Sequence, residues 1–224
     1  MLSRSQIRLF GLVSRRERWG LSFRGCLAVF ALTALAGLLF LLAIHPFLAV
    51  TAKVKSDVLV VEGWLDASGF RQAVVEYQAN AYTRVFATGG PSKGTGPFTT
   101  EFSTVAHAAY TCLLANGIPN HVLTKVPCRI RDWNRTYSAG FALREWLDLH
   151  SLHPDSLNVF TQSVHARRTR LLFQKALGPA IKVGVISATT EEYPANRWWK
   201  SSEGIKEVIS ETAAYLYARF LFWP

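Results

Sequence analysis

Leu157-Asn-Val-Phe-Thr-Gln-Ser-Val-His-Ala-Arg-Arg-Thr-Arg170 is where this chain declares its fold. Its first five residues read as an apolar strand. From Ala166 the period changes, and Ala166 to Leu177 carries a helical pattern. A strand that passes directly into a helix is the unit of an α/β sheet. In such sheets ligands bind outside the carboxyl ends of the strands, where helix N-termini aim N–H groups outward. A histidine and three arginines at that junction point to something anionic.

The same alternation extends in both directions. Upstream, Asp57–Glu62 and Arg84–Thr88 read as short buried strands, and His121–Val126 reads as a third. Leu157–Thr161 is the fourth and Ile181–Ile186 the fifth. Helical patterns fill the gaps. Phe70, Ala73, Val74 and Tyr77 mark one; Phe102, Val105, Ala106, Ala109 and Leu113 mark another; Ala139, Leu143, Trp146 and Leu147 mark a third. A last amphipathic helix runs from about Glu203 to the end. Five strands alternating with helices predict a Rossmann-like three-layer α/β sandwich with a parallel sheet and right-handed crossovers.

Ahead of this domain (residues 53–224) lie a basic tail and an apolar run. Residues 1–24 hold six arginines against the single acid Glu17, which is half of the net charge of +10. Gly25 to Ile44 then contains no charge, and twenty residues of helix span about 30 Å of hydrocarbon. Residues 25–50 are therefore expected to be a transmembrane helix. The flanking arginines put the N-terminus in the cytoplasm and the main domain outside it. A cleaved signal peptide is the alternative, with Val50-Thr51-Ala52 as its processing site. Because so much of the charge sits in the tail, the high pI does not argue for nucleic acid. Cys112 and Cys128 both fall in the exported part, where either a disulfide or two thiols is permitted.

The strand ends deliver a set of polar groups to one rim. These are Glu62-Gly63-Trp64, Thr88-Gly89-Gly90, Arg129 to Arg135, Ser163 to Arg168 and Ser187 to Glu192. At 100° per residue, His165 and Arg168 lean toward the apolar side of their helix, with Thr169, Leu172 and Ala176, while Arg167 and Arg170 point to solvent. Arg135 precedes Ala139, Ala142 and Trp146 on their inward face, and Glu101 sits one turn before Val105. The candidate ligand-binding residues are Gly89, Gly90, Arg135, Thr136 and Arg168. Glycines permit close backbone approach, and arginines bind phosphate or carboxylate in bidentate fashion. The candidate proton-handling residues are His165, Glu101 and Glu62. Asn134-Arg135-Thr136 spells a glycosylation sequon, but at a helix start below a pocket it reads as site structure. No P-loop, dinucleotide fingerprint, H-E-x-x-H or C-x-x-C is present, so no metal is expected and no cofactor is indicated.

The order strand–Glu62-Gly63, Arg71, Thr88-Gly89-Gly90, Glu101, Arg135-Thr136 and His165-x-x-Arg168 resembles the YdcF/SanA/ElyC-like bacterial envelope family over about residues 57–187. Val61-Glu62-Gly63-Trp64 and Arg135-Thr136-Tyr137 resemble one branch of it. The resemblance implies a Rossmann-like domain, often behind one membrane anchor. It also implies links to envelope integrity, cell-wall precursor or lipid-carrier metabolism, and vancomycin barrier function. By its pattern Gly89, Gly90, Glu101, Thr136, His165 and Arg168 carry over, with Glu62 and Arg135 as branch additions. Tyr137 and Ser138 stand where the common form has an acid and an asparagine. Two functions are open at this stage. One is an extracytoplasmic domain that binds, or acts on, an anionic small molecule or lipid-linked intermediate. The other is a non-catalytic regulatory or structural module for envelope integrity.

Overall fold

A computed structural model describes residues 21–91, 104–129 and 134–224. It divides into two units, one ending at Phe40 and one running Leu41–Pro224. Helix α1, Phe23–Leu48, is 26 residues long, and among the described residues it alone is long and apolar enough to cross a membrane.

The larger unit holds β1 (Val58–Glu62), α2 (Ala67–Ala79), β2 (Arg84–Gly89), α3 (Val105–Ala115), β3 (Leu123–Pro127), α4 (Arg135–Leu149), β4 (Ser156–Gln162), α5 (Ala166–Leu177), β5 (Lys182–Ala188) and α6 (Ser202–Phe220). The five strands form one parallel sheet in the order β3-β2-β1-β4-β5. All five residues of β1 are buried, as expected for a central strand covered on both faces.

The two-residue period of the strands sorts their side chains onto two faces. Leu59, Val61, Val85 and Ala87 pack with Phe70, Ala73 and Val74 of α2 and with Ala109 and Leu113 of α3. Val58, Val60, Phe86 and Val159 pack on the other face with Ala139, Leu143 and Leu147 of α4 and with Phe173 and Leu177 of α5. Phe86, Phe160 and Phe173 are among the largest fully buried side chains. Burial of each contributes about 2–3 kcal/mol.

Helix α6 adds a further element against α5. Ala218 and Phe222 close over Tyr137, Leu172 and Ala176. Lys175 donates to the carbonyls of Ala218, in the last turn of α6, and of Phe222 just beyond it. The compact unit begins at Leu41, ahead of the expected boundary at residue 53. Leu41, Ile44 and Leu48, in the last turns of α1, pack into a small core with Val164, Trp198 and Val208.

The two cysteines of this unit are both free. Cys112 packs on the α2/α3 face and Cys128 belongs to the core on the α4/α5 face. The sheet separates them. Burial pushes the Cys128 thiol up to about 11, against a smaller lowering effect of Arg135.

Candidate functional site

The strand order reverses between β1 and β4: β2 and β3 lie to one side of β1, and β4 and β5 to the other. Crossovers leaving these two strands go opposite ways and open a crevice above their carboxyl ends. Glu62-Gly63-Trp64 leaves from one strand and Ser163–Arg168 from the other.

Beyond β4 a 3-10 turn, Ser163–His165, leads into α5, and Ser163 takes a φ of 38°. A left-handed serine costs roughly 1–3 kcal/mol and persists only where its surroundings fix it. The Ser163 carbonyl accepts from the Ser187 hydroxyl, which provides part of that restraint. The turn sets His165 at the mouth of α5, one helical turn before Arg168.

Both side chains converge on Glu211 of α6. The Arg168 guanidinium grips its carboxylate with two bonds, Nε to Oε2 at 2.7 Å and Nη2 to Oε1 at 2.9 Å. His165 Nδ1 lies 2.9 Å from Oε1. Arg168 Nη1 also donates to the Thr136 hydroxyl at 3.4 Å, which ties α4 into the group. Glu211 is 5% exposed. Burial alone would raise its carboxyl, but the bonds and charges of His165 and Arg168 outweigh it and hold it at about 2. Burial likewise works against the Arg168 charge, and Glu211 more than compensates.

An ionised carboxylate can only accept, so Nδ1 of His165 must carry a hydrogen. In the neutral imidazole the lone pair is then on Nε2. His165 lines the cavity, and the Trp64 ring packs against it at 4.5 Å between centroids. A carboxylate on one nitrogen and an open lone pair on the other is the arrangement of a general base.

Glu62 is 2% exposed and accepts from the Thr169 hydroxyl at 2.9 Å. On the sheet it pairs in register with Thr88, whose buried hydroxyl has no partner among the described residues. Glu207, one turn before Glu211, accepts from Tyr193 at 2.9 Å and is itself shifted upward, chiefly by burial.

A cavity of about 950 Å³ opens beside this group. Its polar wall is formed by Glu62, Thr88, Arg135, Thr136, His165 and Arg168, and its apolar wall by Trp64, Val105, Ala214 and Tyr217. Three helix N-termini stand around it. Thr104 caps α3 and Asn134 caps α4 with their side chains, whereas α5 has no side-chain cap. Their aligned dipoles favour negative charge. Arg135 is exposed at the first position of α4.

Gly89 has a packing reason as well as a positional one. Its φ is 151°, and a Cβ there would overlap Val105 Cγ2. The carbonyls of Gly89 and Gly90 accept from Cys128 and Val105, which draws the first turn of α3 over the sheet edge.

The structure thus brings Glu62, Gly89, Gly90, Arg135, Thr136, His165 and Arg168 to one cavity. Glu101 lies outside the described residues. The acid that holds His165 is Glu211, not Glu62. Arg168 is bound to that acid, and among the described residues Arg135 is the cavity-lining arginine without an acidic partner. Arg170 is exposed, as expected, whereas Arg167 is not the free solvated charge expected. Arg167 donates to the Phe47 carbonyl and its guanidinium lies 3.9 Å from that ring's centroid. Arg170 donates to the Val183 carbonyl at 2.9 Å. The end of α1 and strand β5 supply these partners, and neither is visible from α5 alone. Gly90-Pro91-Ser92-Lys93-Gly94 carries the letters of the G-x-S-x-G motif, and its Ser92 lies outside the described residues. Among the described residues no group of three or more His, Cys, Asp or Glu is placed to hold a metal ion.

In comparisons with known proteins, no family model matches the chain and no curated protein matches it significantly.

Proposed function

We propose that the chain is a membrane-anchored envelope protein whose Rossmann-like domain binds a phosphate-bearing small molecule in the cavity at the β1/β4 crevice and exchanges a proton with it through His165. In this reading α1 is the anchor and the domain lies outside the cytoplasm, in keeping with the arginine-rich tail before α1. One observation carries the proposal. An imidazole fixed by a buried carboxylate faces, across one cavity, an exposed arginine at a helix N-terminus.

Arg135 and the α4 N-terminus take the phosphate, which Arg168, neutralised by Glu211, does not. His165 Nε2 is the base, and Glu211 stabilises the imidazolium that results. Trp64 and Tyr217 hold the less polar part of the molecule. The resemblance of Thr88-Gly89-Gly90, Arg135-Thr136 and His165-x-x-Arg168 to the YdcF/SanA/ElyC-like family supports the same set and suggests a cell-wall or lipid-linked intermediate as ligand.

Native mass spectrometry of the full chain, released from membranes in mild detergent, tests this. A co-purified phosphate-bearing molecule is expected, present in His165→Gln and absent from a folded Arg135→Ala. Retention of the same molecule by Arg135→Ala would overturn the assignment.

A further inference from the structure

Helix α6 is apolar on two opposite sides. Its inner face, Gly204, Val208, Glu211 and Ala218, is buried against the domain. Its outer face repeats the pattern. Ile205, Ile209, Ala213, Leu216 and Phe220 recur at spacings of i, i+4, i+8, i+11 and i+15, which places them within a stripe about 80° wide. Ile209 and Leu216 are each 49% exposed, Phe220 is 64% exposed, and Trp223 just beyond the helix is 82% exposed. A helix on the surface of a soluble domain sets charged groups on that side. Here Lys206 and Arg219 stand on the two flanks of the stripe, where long cationic stems reach past apolar surface toward anionic groups.

The position of the stripe indicates what covers it. α6 and the turn before it also fix the end of α1: Leu41, Ile44 and Leu48 pack with Trp198 and Val208, and the Phe47 ring meets Tyr215 edge-on at 5.5 Å. Where α1 leaves the membrane, α6 is therefore at hand, with Trp199, Tyr217 and Trp223 around it, the residue types that settle at a lipid–water boundary. We propose that the outer face of α6 lies in the headgroup–acyl boundary of the membrane that α1 crosses, an interfacial helix in addition to the anchor. This rests on the reading of α1 as an anchor. Tyr217 borders the stripe and also lines the cavity, so the cavity opens beside the lipid surface.

The test uses the full chain in vesicles of phosphatidylethanolamine and phosphatidylglycerol, with p-benzoylphenylalanine replacing one residue at a time. The positions are Ile209 and Leu216 on α6, Leu35 in the anchor, and Leu149, an exposed leucine on α4. Irradiation is expected to give lipid adducts at Ile209, Leu216 and Leu35 and none at Leu149. Adducts at Leu35 without any at Ile209 or Leu216 would overturn the interfacial helix and leave the anchor standing. Chain-to-chain cross-links at the α6 positions in place of lipid adducts would assign the stripe to a second copy and also overturn it. An absence of adducts at Leu35 and α6 alike would remove the anchor reading together with this one.

Discussion

His165 Nδ1 and Glu211 Oε1 lie 2.9 Å apart although 46 residues of chain separate them, and Arg168 closes the group by binding both oxygens of the same carboxylate. Removing the guanidinium strands a buried carboxylate, which costs about 3–5 kcal/mol. Arg168→Ala should therefore lower unfolding stability in detergent by that amount. Replacing both partners, Arg168→Met with Glu211→Leu, should recover most of the loss. A single-variant cost under about 1 kcal/mol would show that the pair is not the strut of the site.

Acid should act through the same carboxylate. Glu211 is held at about 2 in the folded chain against an ordinary 4.5. A group depressed in the folded state adds stability that is complete above its unfolded value and is lost as pH falls toward the folded one. The gap corresponds to on the order of 3 kcal/mol. Thermal midpoints followed against pH should fall between about pH 4.5 and 2, and Glu211→Gln should flatten that part of the curve. An identical slope in the variant would assign the acid transition to other groups.

Gly89 should resist substitution more than a glycine in open space. Gly89→Ala meets both a positive φ and the Val105 side chain. Gly117 has a φ of 102° and nothing near its Cβ position. Strain at φ costs about 1–2 kcal/mol and overpacking a further 1–3 kcal/mol. Gly89→Ala is expected to be the more destabilising by about the second figure, measured by denaturant unfolding of the two variants side by side. Equal costs would mean that Val105 yields.

Thiol counting checks the cysteines. Unreduced, denatured protein should show three free thiols, as Cys112 and Cys128 lie on opposite faces of the sheet. In the folded chain at pH 8, Cys128 should be inert to alkylation, because burial pushes its thiol up to about 11. A mass lower by two hydrogens would contradict this.

Much of the architecture was legible because each strand is short, apolar and followed by a helical period, and five such units leave little besides a parallel sheet. The inward lean of His165 and Arg168 was legible for the same reason: they flank Thr169 and Leu172 on one stripe. Their partner was not identified, since Glu211 arrives from 46 residues downstream, and pattern shows a residue's face but not what meets it. A signal for it existed. Glu211 sits on the buried stripe of α6 with Val208 and Ala218, and a charge on an apolar stripe asks for a buried partner. Arg167 was misread in the same way, because its partner, Phe47, belongs to the end of α1. The strand order, and with it the position of the crevice, depends on which side of β1 receives β4, and no local pattern encodes that.

The central claim is that the β1/β4 cavity takes a phosphate-bearing ligand on Arg135. Thermal unfolding of the full chain in detergent, titrated with inorganic phosphate and with glycerol 3-phosphate, tests it most directly. Stabilisation should grow with ligand concentration. It should be lost in Arg135→Ala and kept in Arg144→Ala, an exposed arginine elsewhere on α4. Stabilisation that survives Arg135→Ala, or none in the unmodified chain, would contradict it.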